Sequence, residues 1–186
     1  MIQYLLKALA LALAVLTGCI AAQAQGRGKL QHLDVPFATT PPAAVAAMLK
    51  LANAGPGDIV YDLGAGDGRI VVAAVRDFSV TAGVGIDLDK KRVAEGKDAA
   101  RKAGIADRTR FFQGDAFKVD FSKATILALY MSPRINRELE PHIRAMMRPG
   151  TRIVSYRFPI GNWPPARTIT VGGQPIHLWI VPKNSR

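Results

Sequence analysis

Three glycines at alternate positions follow an acidic residue, and together they have the chemistry of a ligand-binding turn. The residues are Asp62, Gly64, Gly66 and Gly68, with Asp67 inside the same turn. Glycine lets the chain bend sharply and leaves no Cβ to block the approach of a ligand. The two carboxylates would repel a pyrophosphate, so the turn favours a positively charged ligand that carries an amino acid moiety.

The spacing of the glycines separates this turn from the dinucleotide-binding fingerprint G-x-G-x-x-G. The position at which that fingerprint has its third glycine is Arg69 here. An oxidoreductase that binds a nicotinamide cofactor is therefore disfavoured. The alternative is a structural turn with no ligand, although three glycines so close together are costly in such a turn.

A strand and a helix must position the turn. The apolar, β-branched residues 59–61 predict a buried parallel strand, and residues 70–75 predict a helix. Strand, glycine turn and helix place a ligand at the N-terminus of the helix, beyond the carboxyl ends of the strands.

A third carboxylate falls where a ribose would need it. Residues 81–88 predict a second strand, and Asp87 near its end lies 23 residues after Gly64. In nucleotide-binding βαβ units an acidic residue at about this offset accepts hydrogen bonds from the ribose hydroxyls. Asp87 is therefore the predicted ribose ligand, and the alternative is a solvated charge at a strand end. Asp89 is the predicted N-cap of a helix over residues 90–103.

The remaining pattern completes an α/β chain. Thr40 predicts the N-cap of a helix that precedes the first strand, and Pro141 predicts a break between two short helical pieces. Further strands are predicted at residues 109–112, 124–130 and 151–156, and a hairpin at residues 166–171 and 175–181 around Gly172 and Gly173.

The motifs resemble those of a known enzyme class. Residues 62–68 resemble motif I, D/E-x-G-x-G-x-G, of class I S-adenosylmethionine-dependent methyltransferases. Four segments resemble the family of small protein-lysine methyltransferases that includes the ATP synthase c-subunit lysine methyltransferase. These segments are residues 34–37, 61–70, 129–133 and 157–159 with Trp163, and the similarity covers about residues 33–181.

This resemblance implies a fold, a cofactor and a reaction. The fold is a seven-stranded, mostly parallel, Rossmann-like sheet with helices on both faces and a C-terminal antiparallel hairpin. The cofactor is S-adenosyl-L-methionine, and its methyl group passes to an acceptor amine, expected to be a protein lysine. By the same resemblance, Asp115 accepts a hydrogen bond from the adenine amino group, and the backbone N–H of Ala116 bonds a ring nitrogen. Phe117 packs either on the adenine or in the core.

The acceptor side of the site is less defined by the sequence. Tyr130 is the candidate catalytic residue, because its hydroxyl can orient a lysine amine and its ring can hold an ammonium; a core tyrosine is the alternative. Two other functions stay open: a methyltransferase for a small-molecule or lipid acceptor, and an envelope protein that retains the fold without the chemistry. Further candidates for the acceptor pocket are Phe37, Tyr156, Phe158 and Trp163.

Covalent and metal-dependent chemistry have no support in the sequence. No Ser, His and Asp are spaced as in a catalytic triad, and His32, His142 and His177 form no metal-ligand pattern. No metal site is therefore expected, and each histidine is expected at the surface or in the core.

The composition predicts one folded domain with anionic partners. The chain has 186 residues, 49% of them apolar, so disorder throughout is excluded. The net charge of +11 favours acidic proteins or an anionic membrane surface as partners. Nucleic acid is disfavoured because the basic residues are scattered and not interleaved with aromatics. The sequence carries no signal for the oligomeric state.

The N-terminus resembles an export signal. Residues 1–24 are the predicted signal peptide, with Lys7 before the apolar residues 8–16 and a small-x-small cleavage site at residues 22–24. Residues 16–19 resemble a lipobox ending in Cys19, the only cysteine. The protein is therefore expected to be exported, either periplasmic or lipid-anchored, unless the start codon is mis-assigned. Residues 25–32 are the predicted linker, and residues 33–186 the methyltransferase domain. S-adenosylmethionine is made in the cytosol, so export would separate the enzyme from its cofactor supply.

Overall fold

The computed structural model describes residues 38–183. The predicted signal peptide, the linker, Cys19, His32 and Phe37 lie outside the described residues. The helices are α1 Pro42–Leu51, α2 Arg69–Asp77, α3 Lys90–Lys102 and α4 Pro133–Met146. The strands are β1 Ile59–Leu63, β2 Ala82–Asp87, β3 Thr109–Gln113, β4 Ile126–Leu129, β5 Arg152–Tyr156, β6 Arg167–Val171 and β7 Gln174–Ile180. A short 3-10 helix, Ala106–Arg108, precedes β3.

All seven strands form one sheet in the order β3-β2-β1-β4-β5-β7-β6. The pairs among β1 to β5 are parallel, whereas β7 runs antiparallel to both β5 and β6. The turn of the β6–β7 hairpin is formed by Gly172 and Gly173, both at positive φ, as a two-residue hairpin turn requires. The predicted fold class is confirmed, including the single antiparallel strand.

Each face of the sheet carries its own hydrophobic core. Helices α1, α2 and α3 cover one face, where Met48, Leu49 and Val75 are fully buried. Helix α4 covers the other face, where Leu139 and Ile143 are fully buried. Because each such side chain contributes about 1.5–3 kcal/mol when it leaves water, the sheet is held from both sides.

Two predictions about helix ends are wrong. Pro41, and not Thr40, occupies the N-cap position of α1, and no side chain caps the helix there. Thr40 is buried one residue earlier, where its carbonyl accepts a hydrogen bond from Arg69 Nη1 at 2.9 Å. Pro141 does not divide α4, which is continuous around it. The buried residues on either side of the exposed proline keep the helix on the sheet although one backbone N–H is missing.

One predicted helix cap is confirmed, whereas the predicted extent of the fourth strand, residues 124–130, is too long. The Asp89 side chain caps α3 by accepting a hydrogen bond from Lys91 N at 2.8 Å. Strand β4 ends at Leu129, so Tyr130 follows the strand and does not belong to it. Among residues 38–183, no helix has the length and apolar character needed to cross a lipid bilayer.

Candidate active site

The glycine turn is tied to the end of β2 by backbone hydrogen bonds. The N–H groups of Gly64 and Ala65 donate to Ile86 O at 2.8 and 3.0 Å. Gly66 N donates to Asp87 Oδ2 at 2.8 Å. The φ angles of Gly64, Gly66 and Gly68 are +76, +55 and +80°, a region that favours glycine. The three glycines are therefore required by the path of the chain.

The glycines have different surroundings. A Cβ on Gly68 would lie 2.7 Å from the Phe111 ring and 2.9 Å from Gly96 Cα, so Gly68 lets α2 pack against α3 and β3. Gly64 is exposed, and a Cβ there would lie 2.9 Å from the flexible end of Met131. Gly68 therefore has a packing role, whereas Gly64 lies at the open side of the turn.

Asp62 is a buried carboxylate that has no hydrogen-bond or ion-pair partner among residues 38–183. Its side chain is 2% exposed, and no hydrogen bond from the described residues reaches its carboxylate. Burial raises the pKa of Asp62 well above its usual value, and the charges of Asp87 and Asp67 raise it further. Such a group is costly to ionise unless a cation pairs with it, which a ligand with an ammonium group would supply.

Asp87 lies on the neighbouring strand end and is held from two sides. Its Oδ2 accepts the N–H of Gly66, and its Oδ1 accepts the N–H of Asp89 at 2.9 Å. These bonds fix the orientation of the carboxylate, and each oxygen keeps a lone pair for a further donor such as a ribose hydroxyl. The structure thus places Asp62 and Asp87 beside one turn, as the sequence predicts.

Arg69 is a site residue that the sequence pattern did not reveal. Arg69 Nε and Nη2 donate hydrogen bonds to the two oxygens of the Asp67 carboxylate, and Arg69 Nη1 donates to Thr40 O. The hydrogen bond from Arg69 lowers the pKa of Asp67. Arg69 therefore neutralises one carboxylate of the turn and links the turn to the chain before α1. The sequence feature that could have indicated this ion pair is an arginine two residues after Asp67, the acidic residue of the turn.

Strand β3 ends at the same edge of the sheet as β1 and β2. Gly114 N donates to Asp87 O at 2.9 Å, so Asp115 follows directly after a residue bound to β2. Asp115 Oδ1 accepts the N–H of Phe117 at 3.0 Å, and Ala116 is buried in the core on the α4 face. Phe117 packs against that core and makes an edge contact with His142 at 5.7 Å, which favours its core role.

Three of the candidate acceptor residues form one aromatic cluster. The Tyr130 ring contacts Tyr156 edge-on at 4.9 Å and stacks on Phe158 at 6.4 Å. Tyr130 is half-buried, and Arg157 Nη1 lies 3.4 Å from its hydroxyl. Trp163 does not join this cluster: it packs against Trp179 on the α4 face of the sheet. The structure thus gathers Tyr130, Tyr156 and Phe158 at the end of β4.

The histidines within the described residues make local contacts only. His142 is exposed, and His177 Nδ1 lies 2.9 Å from Thr168 Oγ1. Burial lowers the pKa of His177. Among residues 38–183, no three His, Cys, Asp or Glu side chains are grouped to hold a metal ion.

The residues present fit S-adenosyl-L-methionine. Asp62 offers an unpaired carboxylate for the α-ammonium, Asp87 offers two oxygens for the ribose diol, and Asp115 lies at the next strand end. The glycine turn lies between the first two carboxylates with Gly64 exposed. A positively charged nucleoside is thus complementary to this edge of the sheet.

Comparisons with known proteins agree with this geometry. The family model of the ANTKMT methyltransferase domain matches residues 62–167. A protein-lysine N-methyltransferase of Saccharolobus islandicus is 39% identical over 137 residues, which are 74% of this chain and 85% of that protein. An ATP synthase c-subunit lysine N-methyltransferase of Xenopus laevis is 32% identical over 136 residues, 73% of this chain and 59% of that protein.

A solved structure is similar over most of the chain. The crystal structure of an RNA methyltransferase from Salinibacter ruber in complex with S-adenosyl-L-homocysteine is 41% identical, with a TM-score of 0.77. The match covers 79% of this chain and 95% of that one. The chain therefore belongs to the ANTKMT methyltransferase family and is an S-adenosyl-L-methionine-dependent methyltransferase.

Proposed function

We propose that this enzyme transfers a methyl group from S-adenosyl-L-methionine to the ε-amine of a lysine in a protein. The observation that carries this proposal is the position of the aromatic cluster beside the glycine turn. Tyr130 and Met131 directly follow β4, which pairs with β1, and the Met131 side chain lies against Gly64. An acceptor held at Tyr130 is therefore next to the cofactor turn, in a chain whose relatives are named protein-lysine methyltransferases.

The residues of the site act by binding and alignment. When bound, S-adenosyl-L-methionine supplies a methyl group on a sulfonium. Asp62 and Asp87 hold the ammonium and ribose groups, and the side-chain-free turn between them admits the ligand. The solvent-accessible part of the half-buried Tyr130 ring accommodates the lysine stem, and the Tyr130 hydroxyl accepts an N–H of the amine. Alignment of amine and methyl group in a site that excludes water is then the main source of rate.

Labelled cofactor tests the proposal directly. Residues 33–186 are incubated with methyl-labelled S-adenosyl-L-methionine and a cell-envelope extract. The proposal expects label in a protein band, lost on protease treatment, with methyl-lysine found by mass spectrometry. Label that survives protease but leaves with organic solvent would assign a small-molecule or lipid acceptor. Label lost only with ribonuclease would assign RNA, the substrate named for the Salinibacter relative.

The Asp87→Ala variant is the control for cofactor dependence. At a cofactor concentration below the wild-type Kd it should take up far less label than the wild type, because it lacks the carboxylate expected to hold the ribose. If neither the wild type nor the variant binds S-adenosyl-L-methionine in calorimetry, a fold retained without its chemistry replaces the present proposal.

We further propose that the enzyme is exported and either free in the periplasm or anchored by a lipid on Cys19. The supporting features are the apolar residues 8–16, the lipobox-like residues 16–19 and the cleavage site at residues 22–24. The net charge of +11 would favour an anionic membrane surface. The intact mass of the fractionated protein distinguishes a lipidated Cys19, a chain starting at Gln25 and an uncleaved cytosolic protein.

A further inference from the structure

We propose that Arg157 is a positioning residue that keeps the acceptor lysine in its neutral, nucleophilic form. The inference rests on the lysine methyltransferase function proposed above and assigns a role in it to a residue beside the aromatic cluster. It is carried by the backbone conformation of Arg157, the contacts of its guanidinium and the protonation that the reaction requires.

Arg157 has a backbone conformation that is unfavourable for an arginine. Its φ is +66°, in the left-handed region that glycine adopts far more readily. The conformation is fixed by the Arg157 N–H, which donates to Pro175 O at 2.8 Å, and by Phe158 N, which donates to Tyr156 O at 2.9 Å. A strained position occupied by a large charged residue indicates that its side chain has a use there.

The loop is also fixed from the α4 side. The Asn136 amide donates to Phe158 O at 3.1 Å and to Pro159 O at 3.3 Å, and Ser155 Oγ donates to Phe158 O at 2.7 Å. Asn136 and Ser155 are fully buried. The direction in which Arg157 leaves the backbone is therefore set by packed elements on both sides of the loop.

Arg157 is exposed, and its guanidinium lies at the edge of the aromatic cluster. Its Nη1 is 3.4 Å from the Tyr130 hydroxyl, and its Cζ is 5.3 Å from the centre of the Phe158 ring. Within the described part of the chain, no carboxylate forms an ion pair with Arg157. The Phe158 face is thus occupied by a cation, so it is not free to hold a lysine ammonium.

Methyl transfer requires the amine and not the ammonium. A free lysine has a pKa of about 10.4, so at pH 7 roughly one side chain in 2,500 is neutral. A positive charge nearby and burial against an aromatic ring both disfavour the ammonium and lower this pKa. The ammonium releases its proton to water, and the lone pair then forms the N–C bond while the C–S bond breaks. Tyr130 accepts a remaining N–H, which orients the lone pair.

The pH profile of Arg157 variants tests this role. The single-turnover rate is measured from pH 6.5 to 10.5 with the acceptor peptide mapped in the labelling experiment. Arg157→Gln should move the rising part of the pH–rate profile up by about one pH unit, because removing a positive charge close to the amine raises the pKa of that amine by about this much. The rate then falls about tenfold at pH 7 and recovers near pH 10. Arg157→Lys keeps the positive charge, so the rising part of its pH–rate profile should stay within about 0.3 pH units of wild type.

Arg157→Gly controls for folding. Glycine is favoured at this φ, so the variant should melt no lower than wild type and bind the cofactor equally well. Its pH–rate profile should nevertheless be shifted as far as that of Arg157→Gln. If Arg157→Gln or Arg157→Gly is active and its pH–rate profile is not shifted, or if its rate is lowered equally at every pH, the role of Arg157 is refuted while the proposed function stands. A wild type that methylates no lysine overturns the proposed function and this role with it.

Discussion

At the scale of single residues, the site places two carboxylates on neighbouring strand ends and gives them opposite surroundings. Asp87 accepts two backbone N–H groups and is partly exposed, whereas Asp62 is buried and accepts none from the described residues. The first carboxylate is oriented before any ligand arrives, and the second gains its partner only when a cation binds. Removing either one should therefore weaken cofactor binding, with different effects on stability.

Replacing Asp87 by alanine should weaken S-adenosyl-L-methionine binding about 100-fold. Two charge-assisted hydrogen bonds to a ribose are together worth about 3 kcal/mol, which is a factor of about 100 in affinity. Calorimetry measures the change. Asp89→Ala is the matched control, because it removes a nearby exposed carboxylate and keeps the backbone N–H that bonds Asp87. Equal affinities for Asp87→Ala and wild type would refute the ribose role.

Asp62→Asn should stabilise the protein without cofactor at pH 8 and weaken cofactor binding at least about tenfold. The pKa of Asp62 is raised by burial, so the native state holds more protons than the unfolded state between the unfolded and folded pKa values. Stability therefore falls as the pH rises through that range, and asparagine avoids the loss. The gain in Tm over wild type should grow from pH 4 to pH 8. A variant that melts below wild type at pH 8 would contradict this expectation.

At the scale of elements, a buried polar network joins strands at the edge opposite the site. Asp58, which precedes β1, accepts the Thr125 hydroxyl at 2.7 Å and the Arg152 guanidinium. Arg152 also donates to the carbonyls of Ala52 and Asn53 at 3.0 and 3.1 Å. The network links the end of α1 to β1, β4 and β5, so it should contribute to stability and not to cofactor binding.

Arg152→Ala should lower the free energy of unfolding by about 2 kcal/mol, because it leaves the nearly buried Asp58 carboxylate without its cation. Chemical denaturation measures the loss, and the cofactor Kd should stay unchanged. Arg76→Ala is the control: it breaks an exposed pair with Asp77 and should cost less than about 0.5 kcal/mol. Equal losses in the two variants would show that the network adds no stability.

Pro141→Ala should raise the free energy of unfolding by about 1 kcal/mol. Proline inside a helix costs about 3 kcal/mol relative to alanine, and part of this is offset because proline restricts the unfolded chain. Alanine restores the N–H that bonds the Arg137 carbonyl. Thermal melting measures the gain, with the exposed Glu138→Ala as a control expected within about 0.5 kcal/mol of wild type. A lower Tm for Pro141→Ala would mean that α4 requires the proline geometry.

At the scale of the whole molecule, the sequence predicts those features that are determined by residues close together in the chain. Strands β1 and β2 are short apolar runs that end just before Gly64 and at Asp87, and the glycine turn is contiguous, so these strands and the Asp62–Asp87 pair could be predicted from the sequence. Contacts between segments that are far apart in the sequence could not be predicted from such local patterns. The hydrogen bond from Arg69 to the Thr40 carbonyl joins residues 29 positions apart, and the burial of Leu139 and Ile143 against the sheet keeps α4 continuous through Pro141.

The left-handed conformation of Arg157 illustrates the same limit. Sequence rules assign such a conformation to glycine or asparagine, and Arg157 adopts it because Pro175 and Asn136 hold the loop from two directions. The surroundings of Tyr130 thus depend on residues from separate segments of the chain, which only the folded sheet brings together.

Cofactor binding should stabilise the whole domain, because both carboxylates and the turn belong to the central strands of one sheet. At 100 times the Kd, S-adenosyl-L-methionine adds about 2.7 kcal/mol, which for a domain of this size raises the Tm by roughly 5–10 °C. Differential scanning fluorimetry measures the shift. Arg157→Gly should keep this Tm shift and Asp87→Ala should lose most of it, because Asp87, unlike Arg157, is expected to bind the cofactor. A nicotinamide dinucleotide should give no shift, because its pyrophosphate would meet the acidic turn. Equal shifts with both ligands would mean that the turn does not select for positive charge, and Asp62 would then have no role in choosing the ligand.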